Sequence, residues 1–598
     1  MKKYIKLALA AVGCTVVLGA CNDNYESLPV DQYTEDFLFS TTDSAGTKAL
    51  GFISTIYNAL PNGHFRVGNN YLDAASDDAL SINNSSDCDV LKLQLGQYTP
   101  STRVSSEMTW GSWYQAIRKA NIFINGVDRV PFKATYVNAL GETRQMGVSL
   151  KAEARFLRAY FYFELLRRYG GVPLLGDKVY DINDNLELPR NTFGECVDYI
   201  VSELDLVKDS LRPSPIVDAG TYGHAVTKEA CDALKSRVLL YAASPLFNER
   251  PIEANNELVG YAVYDADRWK QAADAARDFI AGYSLGGTKT FKLTSNFRNV
   301  FLGYYQKLSN PELIFFRQGS SNSTSIENNN GPLGFSGSKL GHGYTNPTQN
   351  LVDAFTMKDG KPIGMSDKYV YDSQNPYANR DPRLDLTVLH HGSQWLGTTL
   401  QTNQGGAHNP SSGEQYSQTS YFSCKFMGDF TSKTEYSGVY HHWVMFRYAE
   451  MLLNYAEATN EYYGPAFEEV IGDEEHMGPR KAIEMLRKRA GIEAGADGLY
   501  GIPADLTKEE MREIIHNERR VELAFEEHRY FDIRRWREAE EIYKHPLQGM
   551  NIQVGMNTTS YSVIDLLDVQ FDIRRYFYPI PYSEVIKNEN MVQNPNWN

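Results

Sequence analysis

Between Leu150 and Tyr169 the apolar residues Leu150, Ala154, Leu157, Phe161 and Leu165 recur at spacings of three and four. That spacing lines one face of an α-helix and does not fit a strand, whose faces alternate every second residue. Arg167 and Arg168 stand in the last turn, where cations oppose the helix dipole, and Gly170-Gly171 before Pro173 ends the run. The signature recurs. Thr192 to Leu211 reads as a partner helix, Thr227 caps a run through Ala243 that stops before Pro245, and Asp265 or Asp267 opens another reaching Ile280. A second block has Phe446 to Tyr463, Pro479 to Ala490 and a helix opened by Thr507, where the Thr and Glu510 satisfy each other's amides. Met511, Ile514, Val521 and Phe525 give that last helix its buried stripe. Helices paired in this way stack into solenoids such as the tetratricopeptide type, although no clean repeat of roughly 34 residues is present.

The stretch from about 285 to 440 differs. Phe291, Phe301, Tyr304, Tyr305, Phe315 and Phe316 sit among Asn/Ser/Gly-rich tracts at 320–331 and 401–420, which predicts short strands and long loops. Loops of that length on a compact body are uncommon and carry function or disorder. The recognition surface is expected here, together with the loop after the helix ending near Leu60. The expected fold class is therefore mainly α: helical pairs mainly in 35–284 and 441–540, an irregular loop and short-strand binding region at about 285–440, and a C-terminal segment 541–598, all in one body spanning 35–598. Lys and Arg total 59 against 74 Asp and Glu, a formal charge of -15, so no polyanion-binding surface of the kind nucleic acid requires is expected. Aromatic residues reach 12%, more than a core needs, and leave rings for planar contacts, sugars being one ligand class that uses them.

Met1-Lys2-Lys3 and the apolar run Ile5 to Leu18 have the layout of a secretory signal peptide, too short for a membrane span. Leu18-Gly19-Ala20-Cys21 resembles the bacterial lipobox, in which the Cys thiol is acylated before cleavage. Residues 1–20 are expected to be removed, Cys21 to carry lipid, and the polar, acidic 21–34 to be a tether. No other stretch approaches the ~20 apolar residues a spanning helix needs. Cys88, Cys196, Cys231 and Cys424 remain, widely spaced; three pairings are open, and isolated buried thiols are the expected state. His390-His391 and His441-His442 lack a carboxylate or Cys at helical ligand spacing, and neither Asp181, Asn183 and Asp184 nor the Asp-rich 73–89 has the Gly and terminal Glu of a Ca²⁺ loop. No metal and no cofactor is expected.

Several segments, taken in order, resemble the SusD/RagB family of outer-membrane nutrient-binding lipoproteins of Bacteroidetes. They are Tyr71-Leu72-Asp73 with Ser76-Asp77-Asp78-Ala79, Trp113 to Asn121, Glu153 to Tyr160 running on to Tyr169-Gly170-Gly171-Val172-Pro173, and Ala233 to Arg237. Pro347-Thr348-Gln349, Asp353-Ala354-Phe355, Asn379 to Arg383 and Arg447-Tyr448-Ala449-Glu450 follow. The most specific is Asn517 to Glu526 with Arg529-Tyr530-Phe531-Asp532 and Arg534-Arg535-Trp536, then Tyr578-Pro579-Ile580-Pro581 and Gln593-Asn594-Pro595. The resemblance implies four tetratricopeptide-like helix pairs under an irregular ligand-binding region. It also implies lipid-anchored placement at the outer membrane, facing the cell surface, and a SusC-like TonB-dependent transporter as partner, to which an oligosaccharide or polysaccharide is handed without chemistry.

The charged run of the last motif has a physical reading of its own. Arg519, Arg520, Arg529, Arg534 and Arg535 alternate with Glu522, Glu526, Glu527 and Asp532, a pattern suited to ion pairs that hold helices together. A sugar offers hydroxyls and a weakly apolar C–H face, so its site needs exposed rings with polar groups at the rim. Rings in expected loops are Phe65, Tyr71, Tyr304, Tyr305, Phe335, Tyr344 and Trp395, with Arg66, Asn69, Asn70, Asp73, Asp77 and His342 as rim groups. Two other classes stay open. A surface glycoside hydrolase needs two facing carboxylates, but Asp77-Asp78 and Glu526-Glu527 are chain neighbours that diverge. A binding or assembly subunit for peptide ligands would show no glycan affinity.

Overall fold

The computed structural model describes residues 34–181, 183–216, 225–303, 310–319, 323–411 and 415–597. The signal peptide, Cys21 and its tether up to residue 33, and Tyr304 and Tyr305, lie outside the described residues.

Local sequence sets the helix starts. Thr192 and Thr507 each open a helix with a full capping box, the Thr side chain accepting from the third amide onward and Glu195 or Glu510 accepting from the Thr amide. Eight helices then follow one another: Trp110–Gly126, Met146–Tyr169, Phe193–Val207, Lys228–Ala243, Asp267–Tyr283, Tyr448–Tyr463, Pro479–Ala490 and Lys508–Glu522. Each packs on the next, giving four antiparallel-type pairs in series. Met146–Tyr169 buries nearly its whole circumference rather than one stripe, because the loop-rich region covers the face its neighbours leave open, with Phe156 against Phe315 at 5.5 Å and Tyr160 against Phe446. Its polar residues are consequently paired inside: Glu164 with Arg168 at 2.5 Å, Arg158 with Glu203 at 2.5 Å, Glu153 with Arg212 at 3.0 Å. Gly170 ends it at φ 75, where a Cβ would fall 2.3 Å from the Leu258 carbonyl oxygen.

The third pair is interrupted by 284–447, which holds the loop-rich region. Its entry and exit are tied by antiparallel pairing of Leu313–Gln318 with His442–Arg447. Phe446 and Arg447, expected to begin a helix, belong to that strand, opposite Phe315 and Leu313, and the helix starts at Tyr448. Lys508–Glu522 likewise stops short of Phe525, which turns to φ 64 yet keeps its ring in the core. A hairpin of Leu547–Val554 and Thr559–Leu567, not foreseen, fills much of the C-terminal segment. The main hydrophobic core runs from Phe39 to Trp597, a small second cluster gathers around Leu240, Trp269 and Ala458, and among the described residues no helix is long and apolar enough to cross a membrane. Cys88, Cys196, Cys231 and Cys424 are buried free thiols.

The charged run is buried and structural. Arg519 and Arg535 both reach Asp532 at 2.9 and 2.8 Å, Arg535 reaches Glu457 at 2.5 Å, and Arg383, Arg447 and Arg489 converge on Glu522. The chain turns between Glu522 and Arg529, so most partners lie on other elements rather than three or four residues away; Arg383 and Arg447 belong to the inserted region and pin it to the last pair. Arg534 differs, donating to the Tyr530 carbonyl at 2.6 Å and lying over the Tyr530 ring.

Candidate functional site

After the short helix Ser325–Asn330 the chain loops over 331–344 and enters the strand Thr345–Pro347, which pairs with Ala79–Ser81. The pairing continues one residue outward, where the Ile82 amide donates to the Tyr344 carbonyl at 3.0 Å. Just before this Gly343 turns the chain at φ 54, and the rings of His342 and Tyr344 on either side of it form a stacked pair with centroids 5.4 Å apart and planes 27° apart. His342 is exposed and Tyr344 half-buried. The backbone beneath them is fixed: His342 and Tyr344 donate their amides to the Asn328 and Asn329 carbonyls at 2.8 and 3.1 Å. Asn329 in turn donates its side-chain amide to the Asn69 carbonyl at 2.5 Å, which brings the exposed Asn69 turn beside the rings. Phe65, half-buried, leads into that turn.

At the start of the same loop Phe335, half-buried, meets the His408 ring at 4.6 Å and 38°. Gly334 permits this contact: at φ 79, a Cβ there would sit 1.8 Å from the Ala407 carbonyl oxygen. His408 accepts the Gln401 amide on Nδ1 at 3.0 Å, and burial lowers its pKa, which keeps the ring neutral. Sequence reasoning missed His408 and Asn329; the first lies in the Asn/Ser/Gly-rich tract already marked, but nothing local ties it to Phe335 across the intervening chain.

The structure takes five expected residues off the surface and holds a sixth, half-buried Arg66, in an ion pair. Tyr71 is 1% exposed, its ring against Phe426 at 5.3 Å and Phe525 at 5.6 Å and its hydroxyl accepting from Asn330 at 2.9 Å. Burial raises its pKa and that of Asp73, whose Oδ1 accepts the Phe525 amide at 3.0 Å. Asp77 is clamped by Arg520 and Arg529, each at 2.8 Å; burial opposes its ionisation, but the two guanidiniums outweigh that and hold its carboxyl below the usual range. Arg66 pairs with Glu107 at 2.7 Å, and buried Asn70 braces its own turn through the Gly68 carbonyl at 3.1 Å. Trp395 is enclosed by Phe430 and Tyr436, donating to the Tyr436 hydroxyl at 3.1 Å. These residues build the floor that the ring loop stands on, Tyr71 directly so, since its amide donates to Thr345 at 3.1 Å. Tyr304 and Tyr305 lie outside the described residues.

What remains is a surface rather than a cavity: Phe335, His342 and Tyr344 on one loop, His408 set against Phe335 from another, and the Asn69 turn tied beside them by Asn329. Such a surface offers apolar faces flanked by neutral hydrogen-bonding groups. Behind it, Glu327 is buried, accepting from the Gly428 amide at 3.0 Å and lying 2.9 Å from His441 Nε2. A larger recess of about 590 Å³ lies on the helical side, lined by Trp269, Glu457, Glu461, Arg512 and Trp536. Within it Arg512 pairs with Glu461 at 2.5 Å, and Glu457 is held by Arg535 behind the wall.

The model of the SusD family matches residues 311–597, and a second model, described as starch-binding associating with outer membrane, matches residues 41–240. A SusD-like protein of Formosa agariphila is 22% identical over 498 residues, covering 81% of this chain and 79% of its own. Among solved structures, a SusD-like protein from Bacteroides fragilis is similar with a TM-score of 0.73 at 25% identity, over 94% of this chain and 100% of that one. A SusD-like carbohydrate binding protein from the same species is similar with a TM-score of 0.67 at 22% identity, over 92% and 99%. Family models that match both the first helix pairs and the inserted region with the last pair agree with the architecture built above, and the chain belongs to the SusD/RagB family.

Proposed function

We propose that this protein is a non-catalytic nutrient-binding lipoprotein, held at the outer membrane by lipid on Cys21, that captures oligosaccharide or polysaccharide and delivers it to a SusC-like TonB-dependent transporter. The observation that carries the glycan reading is the partly exposed His342–Tyr344 ring pair beside the Asn69 turn, with Phe335 on the same loop. The description of the second family model and the carbohydrate-binding relative support it. Hydrolysis would need two carboxylates about 5–9.5 Å apart facing the ligand, whereas Asp73, Asp77 and Glu327 near the loop are buried under it and engaged with partners.

Calorimetric titration of the mature chain against plant and host polysaccharides, with each mixture assayed afterwards for reducing ends, tests the proposal. Binding of one glycan class without new reducing ends is expected. Reducing ends that accumulate with time would establish a hydrolase, and affinity for peptides with none for glycans would establish the assembly alternative.

A further inference from the structure

The amino-terminal end of the body carries an apolar display that the ring surface does not use. The hairpin Thr135–Val137 and Thr143–Gln145 runs directly into the Met146–Tyr169 helix. Tyr136 faces inward, its hydroxyl donating to the Ser210 carbonyl. Val137, Leu140 at the turn and Val148 in the first helical turn face outward, 52%, 61% and 42% exposed.

The turn between the strands satisfies its amides within the protein. Ala139 donates its amide to the Leu211 carbonyl at 2.8 Å, Gly141 to the Asn138 carbonyl at 3.0 Å, and Leu140 and Glu142 both to Asn138 Oδ1, at 3.1 and 2.8 Å. Four consecutive amides are thus satisfied within the protein, which removes the donors' share of the cost of leaving water, and the tip's carbonyls are left to the polar interfacial layer. Three ion pairs stand around the hairpin, Arg144 with Glu142 at 2.7 Å, Arg129 with Asp36 at 2.5 Å and Lys151 with Asp128 at 2.5 Å, while exposed Lys133 remains as a cation. An isolated charge would resist approach to an apolar layer; a paired collar lowers that cost.

The Arg129–Asp36 pair and the Lys133 amide donating to the Ser44 carbonyl at 3.0 Å tie the segment leading into the hairpin to the short helix Glu35–Leu38 and the turn after it. The hairpin therefore springs from the part of the body next to Thr34, and Cys21 lies thirteen residues before Thr34, a length that spans at most about 45 Å.

We infer that the hairpin tip Val137–Leu140, with Val148, rests in the interfacial layer of the membrane to which Cys21 ties the chain, so that lipid and hairpin together fix the orientation of the body. This rests on the lipid-anchor part of the proposed function. It is tested with the full chain, natively processed and placed in phosphatidylethanolamine–phosphatidylglycerol vesicles. Leu140→Cys carries an environment-sensitive fluorophore, and Met556→Cys, at the fully exposed turn of the other hairpin, is the control; Cys88, Cys196, Cys231 and Cys424 are buried. Acylation is read by mass and membrane attachment by flotation.

The expected result is quenching by bilayer nitroxide of about two-fold or more at position 140 and none at 556, as for a residue lying in the headgroup and upper acyl layer. Acylated, floating protein with no quenching at 140 overturns the inference and leaves the anchor standing. Burial of position 140 only after other outer-membrane proteins are added would assign the face to a protein partner and overturn it too. A chain with no added mass and no flotation removes the anchor and, with it, the inference.

Discussion

Glu522→Gln removes one negative charge from the centre of a buried cluster in which Arg383, Arg447, Arg487, Arg489 and Lys425 face Asp381, Glu312, Glu518, Glu522 and Glu526. The cluster is balanced, and the substitution leaves one positive charge without compensation at a site where Arg447 approaches to 2.6 Å and Arg383 to 2.9 Å. Breaking a buried pair on one side costs about 3–5 kcal/mol. With unfolding entropy near 2.1 cal/mol/K per residue, ~560 folded residues give about 1.2 kcal/mol/K, so Tm should fall by about 3–4 °C. The pH dependence follows from the same geometry. Burial opposes ionisation of Glu522, yet Arg489, Arg447 and Arg383 hold its carboxyl well below the usual carboxylate range. A depressed folded-state pKa stabilises above the unfolded value near 4.3 and is lost as pH falls toward the folded one. The deficit of the Gln variant is therefore full at pH 7, nearly constant down to about pH 5, and shrinks only below about pH 4. Scanning calorimetry at several pH values measures it, with Glu509→Gln, an exposed residue 4.0 Å from Arg512, as a control expected to leave Tm unchanged. A Glu522→Gln protein as stable as its parent at pH 7 would refute the assignment of the network to holding the inserted region on the helices.

His342→Ala with Tyr344→Ala should weaken binding of the identified glycan by about ten-fold or more, ~1.5 kcal/mol of lost ring contact, with Tm unchanged; Tyr71→Ala should instead lower stability by about 3–5 kcal/mol as a core truncation. Gly334→Ala places a methyl 1.8 Å from the Ala407 carbonyl oxygen at φ 79, so it should displace the ring loop and reduce glycan affinity in titration while helix content by circular dichroism stays the same. His64 is buried between Phe426 at 4.9 Å and Trp443 at 5.1 Å, and burial, with His441 adding, pushes its pKa down to about 3. The native ring is neutral while the unfolded one protonates near 6.5, so stability falls as pH drops from 6.5 toward 3, by about 3 kcal/mol at pH 4.5. His64→Phe should narrow the Tm difference between pH 7 and pH 4.5 by about 2 °C; an unchanged difference would exclude that residue as a source of acid sensitivity.

The helical scaffold was legible because its signals are local. Periodicity, Thr caps and terminal Gly or Pro gave Pro479–Ala490 with both bounds and Lys228–Ala243 behind its Thr227 cap. Boundaries failed where tertiary pairing overrode them, as at Phe446 and Arg447, drawn into a strand by residues more than a hundred positions earlier. The candidate site was partly legible for the same reason. His342 and Tyr344 stand two positions apart with a glycine free to take φ 54 between them, whereas the partners that bury Asp77 are Arg520 and Arg529, over four hundred positions away. A Tyr among polar residues reads as exposed until those polar residues are found to be ion-paired inward. The pairing of Phe335 with His408 and the hairpin of the C-terminal segment had no local signal of comparable strength.

The central claim is that glycan binds on the ring loop. The most direct measurement is a crystal structure of the mature chain soaked with the oligosaccharide that titration selects. A sugar ring lying over His342 and Tyr344, with hydroxyls at the Asn69 turn, is the expected result; sugar density confined to the recess beside Trp269 and Trp536, with the ring loop empty, would contradict it.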